Sequence, residues 1–319
     1  MTPVATDGLV PLEHLSRDVF RVGLAEGRLA LQIGPLVVRV QTVLPDVAHY
    51  LRGVYGQHPA CIDPSFADFT IEVRKPSNLR RWFRRQVEFA VEGETPFEPL
   101  PRSQAPALFE WGLNWSIAAS CHQWLMVHAA CLERNGHAVI LPAPPGSGKS
   151  TLCAALSLRG WRLLSDELTL IDPSTLALHG LARPINLKNQ SIDLIRSFEP
   201  SARWGPLSYD TTKGVITHLA APLHSVEHVR QKAQPRWLVF PRYVAGAEPL
   251  LAPRNKAQTF ASFVQNAFNY SVLGETGFDA TGRLIDACDC FDFEYSKLDD
   301  AIEVFDWLIE ASRSPADDR

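Results

Sequence analysis

The stretch Ala138-Val139-Ile140-Leu141-Pro142-Ala143-Pro144-Pro145-Gly146-Ser147-Gly148-Lys149-Ser150-Thr151 limits the folds open to this chain more than any other. It begins as an unbroken apolar run of strand length and passes through turn-forming residues. Leu152, Ala155 and Leu156 then recur at helical spacing. A continuous apolar strand that feeds through a short loop into a helix opens a β-α unit, and such a strand must be buried on both faces of a helix-covered sheet. The pattern predicts a strand over Ala138 to Leu141, a helix from about Lys149 to Leu158, and a further strand at Leu168-Thr169-Leu170-Ile171. The fold class expected for residues 106–319 is therefore α/β with a central sheet.

The first hundred residues read differently. Phe20 to Leu24, Arg28 to Ile33 and Leu36 to Val40 are short apolar runs split by Glu26-Gly27 and Gly34-Pro35, and Phe69-Thr70-Ile71-Glu72-Val73 alternates as a half-buried strand does. They predict a smaller, mostly antiparallel β domain over 1–105. The proline-rich stretch from Gly93 to Pro106 carries no period and suits a boundary there. Beyond it Leu108, Trp111, Trp115 and Ala118 make one helix stripe, read as core rather than as a base-stacking surface. Near the end, Phe260, Phe263, Val264, Ala267 and Phe268 predict a helix and Phe291 to Tyr295 a strand. Ser296-Lys297-Leu298-Asp299 has the form of a capping box before a last helix carrying Leu298, Ile302, Phe305 and Ile309.

At 319 residues, 46 % of them hydrophobic and 21 % charged, the chain has the composition of a globular protein of one large domain or two ordinary ones. A net charge of −4 gives no basic field for nucleic acid, and no apolar run is long enough to span a membrane, so neither partner is expected. The first residues lack the basic and apolar regions of a secretory leader, and six cysteines without zinc or redox spacing read as reduced thiols, which together predict a cytoplasmic protein. Arg80-Arg81-Trp82-Phe83-Arg84-Arg85 reads as a solvated hairpin, with docking of an acidic peptide or nucleic acid as the other reading.

Ala143 to Thr151 fit the phosphate-loop pattern except that Ala143 stands where the first glycine is usual. Gly146 and Gly148 let successive backbone N–H groups turn inward toward phosphate oxygens, at the positive end of the helix that follows. Pro144, Pro145 and Ser147 complete the loop. Lys149 supplies a point charge to the β- and γ-phosphates, and Ser150 a hydroxyl to Mg²⁺. The cofactors expected are ATP and Mg²⁺. A phosphate loop alone does not choose between kinase, hydrolase and switch.

His128 upstream in Leu125-Met126-Val127-His128-Ala129-Ala130, and Arg159-Gly160 followed by Ser165-Asp166-Glu167-Leu168 downstream, add separated features in a fixed order. With these the chain resembles the HPr kinase/phosphorylase family, and more closely the HPr-kinase-related kinases, strongly over about Trp124 to Asp172 and weakly over the rest of the second half. The resemblance implies that Asp166 is the general base on the acceptor hydroxyl. Glu167, where the family usually has Asp, is implied to lie near the metal, His128 near the transferring phosphate and Thr151 near the α-phosphate. Standing alone, His128 would read as a core histidine and the two acids as a solvated strand end.

His179 to Asn189 replace the glycine-rich, acid-bearing signature of true HPr kinases, which points to an acceptor other than HPr. Within this segment Arg183 and Lys188 read either as contacts to phosphate or acceptor or as an ordinary basic loop. Lys213-Gly214 is a further candidate for a loop near the site. The function expected is a kinase that transfers the γ-phosphate of ATP to a hydroxyl, a serine of a peptide or small protein, with the N-terminal domain recognising that acceptor. A small-molecule kinase, a carboxykinase-like enzyme and a non-catalytic ATP-binding scaffold are the alternatives, and a homo-oligomer stays open.

Overall fold

Glycine-punctuated apolar runs in the first part of the chain give strands β1 (Val10–Pro11), β2 (Leu29–Ile33), β3 (Leu36–Gln41), β4 (Pro59–Ile62), β5 (Phe69–Arg74), β6 (Gln86–Val91) and β7 (Leu100–Pro101). Helices α1 (Arg17–Ala25), α2 (Pro45–Val54) and α3 (Ala105–Ser120) accompany them. The strands order as β1-β4-β2-β3-β5-β6-β7, and each pairing is antiparallel except that of β3 with β5. Phe20 to Leu24, read as a strand, lie inside α1. The Ser16 hydroxyl caps that helix by accepting from the Val19 N–H, and burial falls on Phe20, Gly23 and Leu24 at helical steps.

The structure, a computed structural model, describes residues 8–77 and 85–312. The basic aromatic run at 80–85 lies outside the described residues except for Arg85. The chain forms two compact units: Met1–Ser120 with Asn186–Arg196 and Pro200–Glu227, and Cys121–Ile185 with Ser197–Glu199 and His228–Arg319. A single cut after residue 105 does not follow this division. The proline-rich stretch holds β7, a 3-10 turn over Arg102–Gln104 and the start of α3, which belongs to the first unit. In α3 the face that turns inward is Leu108, Phe109, Gly112, Leu113 and Ile117, while Trp115 is 42 % exposed, so the large-aromatic stripe is not the core face. Gly112 decides this, because the Phe89 ring of β6 occupies the space a Cβ would need.

After α3 come β8 (Leu125–Val127), β9 (Ala129–Arg134), β10 (His137–Pro142), α4 (Lys149–Leu158), β11 (Arg162–Ser165), β12 (Thr169–Ile171) and β13 (Leu178–His179). At β14 (Ile185–Lys188) the chain passes into the first unit, which it extends with α5 (Gln190–Phe198), β15 (Ser208–Thr211), β16 (Gly214–Leu219) and α6 (Leu223–Glu227). It ends with β17 (Gln234–Tyr243), β18 (Leu250–Pro253), α7 (Lys256–Gln265), α8 (Tyr270–Leu273), α9 (Glu275–Ala287), β19 (Asp289–Tyr295) and α10 (Leu298–Ser312).

The main sheet of the second unit orders as β11-β9-β10-β17-β19-β18. Strand β10 is parallel to β17, and β17 to β19, while β9 is antiparallel to both β10 and β11. Strands β11, β10, β17 and β19 therefore point one way. Ile140, Leu238 and Cys290 share one core cluster with Phe263 of α7 and Leu284 of α9, and Phe293 packs edge-on against Phe305 of α10 at 5.4 Å. Burying a side chain of this size stabilises by roughly 1.5–3 kcal/mol. Both units are mixed α/β. The Ser296 hydroxyl donates to the Ala247 carbonyl at 2.7 Å and so ties the end of β19 to the loop before β18, where the sequence suggested a capping role.

Candidate functional site

The direction of the strands decides which residues can meet. The loop after β10 leaves the sheet at the edge where β11, β17 and β19 also end and where β9, running the other way, begins. Pro142 is the register partner of Ala129, so His128 precedes β9 at the edge that Ala143 leaves. Ser165, which ends β11, pairs with Cys131, and Asp166 and Glu167 follow it in a bend before β12. The acids thus stand between two strands, not at the start of one, because Arg162–Ser165 forms a strand that the sequence reading did not assign. The Ser165 hydroxyl holds this bend by accepting from the Leu168 N–H at 2.9 Å.

The loop itself is shaped by two left-handed residues, Gly146 at φ 90° and Gly148 at φ 91°. Gly148 caps α4, and the first intrahelical bond runs from Leu152 N–H to its carbonyl at 3.0 Å. The amides of Lys149, Ser150 and Thr151 precede that bond and have no acceptor within the helix, which is the geometry that binds anions at helix starts. The Lys149 N–H meets the Ser147 hydroxyl at 3.4 Å. Pro144, Pro145 and Gly146 are exposed, Ala143 and Lys149 are buried, and Ser147, Gly148, Ser150 and Thr151 lie between. A Cβ at Gly146 would meet nothing within 4 Å, so the loop is open on that side.

Two tyrosines that the sequence reading gave no role brace the loop. The Tyr295 hydroxyl donates to the Gly148 carbonyl at 3.0 Å, and the Tyr243 N–H donates to the Ser147 carbonyl at 2.8 Å. An aromatic residue ending a parallel strand of this sheet is the only signal that could have singled them out. Burial holds the Tyr295 phenol well above the usual range, which keeps it protonated and a donor.

Asp166 is 4 % exposed and Lys149 7 %, and both lie near Cys153, one turn beyond Lys149 on α4. The Cys153 thiol is held far above its usual range by burial first and by the Asp166 carboxylate second, with the Lys149 ammonium opposing. Its Sγ donates to the Ser165 carbonyl at 3.9 Å, tying α4 to the end of β11. Among the described residues no three His, Cys, Asp or Glu side chains converge to hold a metal ion by themselves. Magnesium in phosphate sites takes one or two protein ligands and completes its octahedron with phosphate oxygens and water, and the Ser150 hydroxyl and Glu167 carboxylate are oxygen donors of the kind it takes.

His128 is half-buried, with its backbone N–H donating to the Asn266 carbonyl at 2.7 Å and its ring tilted against Phe268. Ala267 and Phe268 are not helical: α7 ends at Gln265, Ala267 bridges to Val127, and the Phe268 N–H donates to Met126. Arg183 is buried beside the same edge, following Leu181 and Ala182, whose amides both donate to the Leu164 carbonyl at 2.8 and 2.9 Å. Lys188 is exposed at the end of β14 and belongs to the first unit, as does Lys213 in the β15–β16 hairpin. Among the candidates in the second unit, the loop, Asp166, Glu167, His128 and Arg183 share one sheet edge. None of the six cysteines is in a disulfide, and among the described residues no helix is long and apolar enough to cross a membrane. Comparison with protein-family models gives no match, and no curated protein matches the chain.

Proposed function

We propose that the chain is an ATP- and Mg²⁺-dependent kinase of the HPr-kinase-related type, transferring the γ-phosphate to a hydroxyl of a peptide or small protein. The observation that carries this reading is the convergence of a glycine-shaped helix start, a buried lysine and a buried aspartate around Cys153 at one sheet edge. Anion binding needs only the first of these. A carboxylate beside the lysine is what phosphoryl transfer adds, since the acceptor hydroxyl must be oriented and its proton taken.

In this reading the amides of the loop and Lys149 hold the phosphate oxygens, and Ser150 with Glu167 would hold Mg²⁺, which when bound neutralises charge on the transferring group. Asp166 accepts the proton of the acceptor hydroxyl. His128 and Arg183 line the same edge and would bear on the oxygens of the reacting group. The acceptor is read outside the loop, and we assign that recognition to the first unit.

The test compares Lys149→Ala and Asp166→Asn in the full chain. Lys149→Ala is expected to lose most Mg-ATP affinity in calorimetry. Asp166→Asn is expected to keep that affinity within about twofold while transfer of label from ATP to acceptors in fractionated cytosol falls by about 10²- to 10⁴-fold. Parallel loss of both properties in Asp166→Asn would make the carboxylate a structural residue and remove the catalytic reading.

A further inference from the structure

The nucleotide site just described has a direction, and the sheet order supplies it. Asp166 follows β11, which is separated from β10 by β9, so the reacting end of a bound triphosphate lies to that side of the loop. On the other side β17 is the immediate neighbour of β10, one strand spacing of about 5 Å away. A phosphate chain that wraps the start of α4 with its γ end toward Asp166 must send its α end, and the nucleoside attached to it, toward the ends of β17 and β19.

What stands there is Tyr243. It is the register partner of Tyr295 in a parallel pair, so both side chains leave the same face of the sheet. That face carries α4 and α10: Phe293, two residues before Tyr295, packs on Phe305 of α10, and α10 packs on α4. The Tyr295 ring fills the space under Gly148, and Tyr243 meets it edge-on at 6.0 Å. The main chain of Tyr243 is pinned to Ser147, which fixes its place beside the loop, yet its side chain is 51 % exposed. A large aromatic residue whose main chain is fixed beside this loop and which is half open to solvent offers ring surface for stacking, with few rotors to order on binding.

We propose that Tyr243 is the nucleobase platform of this site, its exposed ring stacking on the base of the nucleotide whose phosphates occupy residues 143–151. The inference rests on the phosphate-loop reading above, and two ligands separate the fates of the two. Mg-ATP and Mg-tripolyphosphate share the phosphates, but only the first carries a base.

Calorimetry on the full chain should find Mg-ATP bound more tightly than Mg-tripolyphosphate. In Tyr243→Ala the ATP affinity should fall about tenfold, the scale of one base–aromatic stack, while tripolyphosphate affinity stays within about twofold. Tyr243→Trp should hold or tighten ATP binding. Retained tripolyphosphate binding also certifies the fold of the variant, and Tyr243→Leu, which keeps bulk without a π-face, replaces the alanine variant should that one fail to fold. Equal losses for both ligands would make Tyr243 a support of the loop only, and unchanged ATP affinity would put the base elsewhere. Either result overturns the proposal. Failure of the wild-type chain to bind either ligand would overturn the phosphate-loop reading beneath it.

Discussion

Gly148 and Gly146 adopt almost the same backbone conformation, yet an added methyl group should not have the same effect at each. At both positions φ is close to +90°, where a Cβ costs about 1–2 kcal/mol. At Gly146 that is the whole penalty, because the new atom meets nothing. At Gly148 it would come to 2.5 Å from the Tyr295 hydroxyl oxygen and 3.0 Å from the Tyr243 Cβ. Tyr295 would have to move and give up its bond to the Gly148 carbonyl, worth about 1 kcal/mol. Gly148→Ala should thus destabilise the second unit by about 2–3 kcal/mol against about 1–2 kcal/mol for Gly146→Ala. Urea unfolding followed by the fluorescence of Trp161 and Trp237, both buried in that unit, measures the difference. Adding Tyr295→Phe to Gly148→Ala removes the oxygen that collides, so the pair should be less destabilised than the sum of its parts. Equal effects at the two glycines, or strict additivity with Tyr295→Phe, would refute the argument.

In the first unit the buried Glu110 carboxylate accepts from the hydroxyls of Tyr50 at 2.7 Å and Tyr55 at 2.8 Å, so Glu110→Ala should destabilise that unit by about 2–4 kcal/mol in urea unfolding followed by the fluorescence of its own Trp111 and Trp204, and Glu110→Gln by less. The Ser174 hydroxyl, with the Ser174 and Thr175 amides, holds the Asp172 carboxyl down at about 2, below its usual range. Its contribution to stability is complete above about pH 4 and is lost as pH falls through 2, so the gap between wild type and Asp172→Ala should close over that window in pH-dependent unfolding. Burial pushes the Cys288 thiol up to about 12 and holds Cys131 and Cys153 higher still, and it raises Cys290 and Cys61 as well. Cys61 is the one cysteine of the six that is not buried, so it should react first when thiol reagent is added to the folded chain.

Local pattern carried the reading wherever one element satisfied its own rules. The glycine-shaped turn and α4 were legible because glycine conformation, helix start and apolar period all fall within the stretch Ala138 to Leu158. Strands β2, β3, β5 and β19 were legible because strand-length apolar runs, and in β5 and β19 alternation, survive in their final burial. Phe20 to Leu24 failed because five consecutive residues fit either period, and the deciding signal, the Ser16 cap, lies upstream. The α3 stripe failed because size was taken for burial, while Gly112, the smallest residue on the helix, marks the inner face. The Tyr243 and Tyr295 contacts to the loop were out of reach for another reason. They depend on which strands become neighbours of β10, and β17 and β19 come about a hundred and about a hundred and fifty residues later.

The path of the chain between the units bears on how the protein comes into being. A ribosome releases residues from the N-terminus onward, so Met1–Ser120 emerge first and carry the seven-stranded sheet, but β15 and β16 of the same unit are made only after β8 to β13 of the other. The Gln104 side chain, which donates to the carbonyls of Tyr209 and Asp210, waits about a hundred residues of synthesis for its acceptors. The first unit therefore cannot finish folding until Glu227 is in place, and by then the glycine loop at 143–151 has left the exit tunnel while β19, whose Tyr295 braces it, has still to be made.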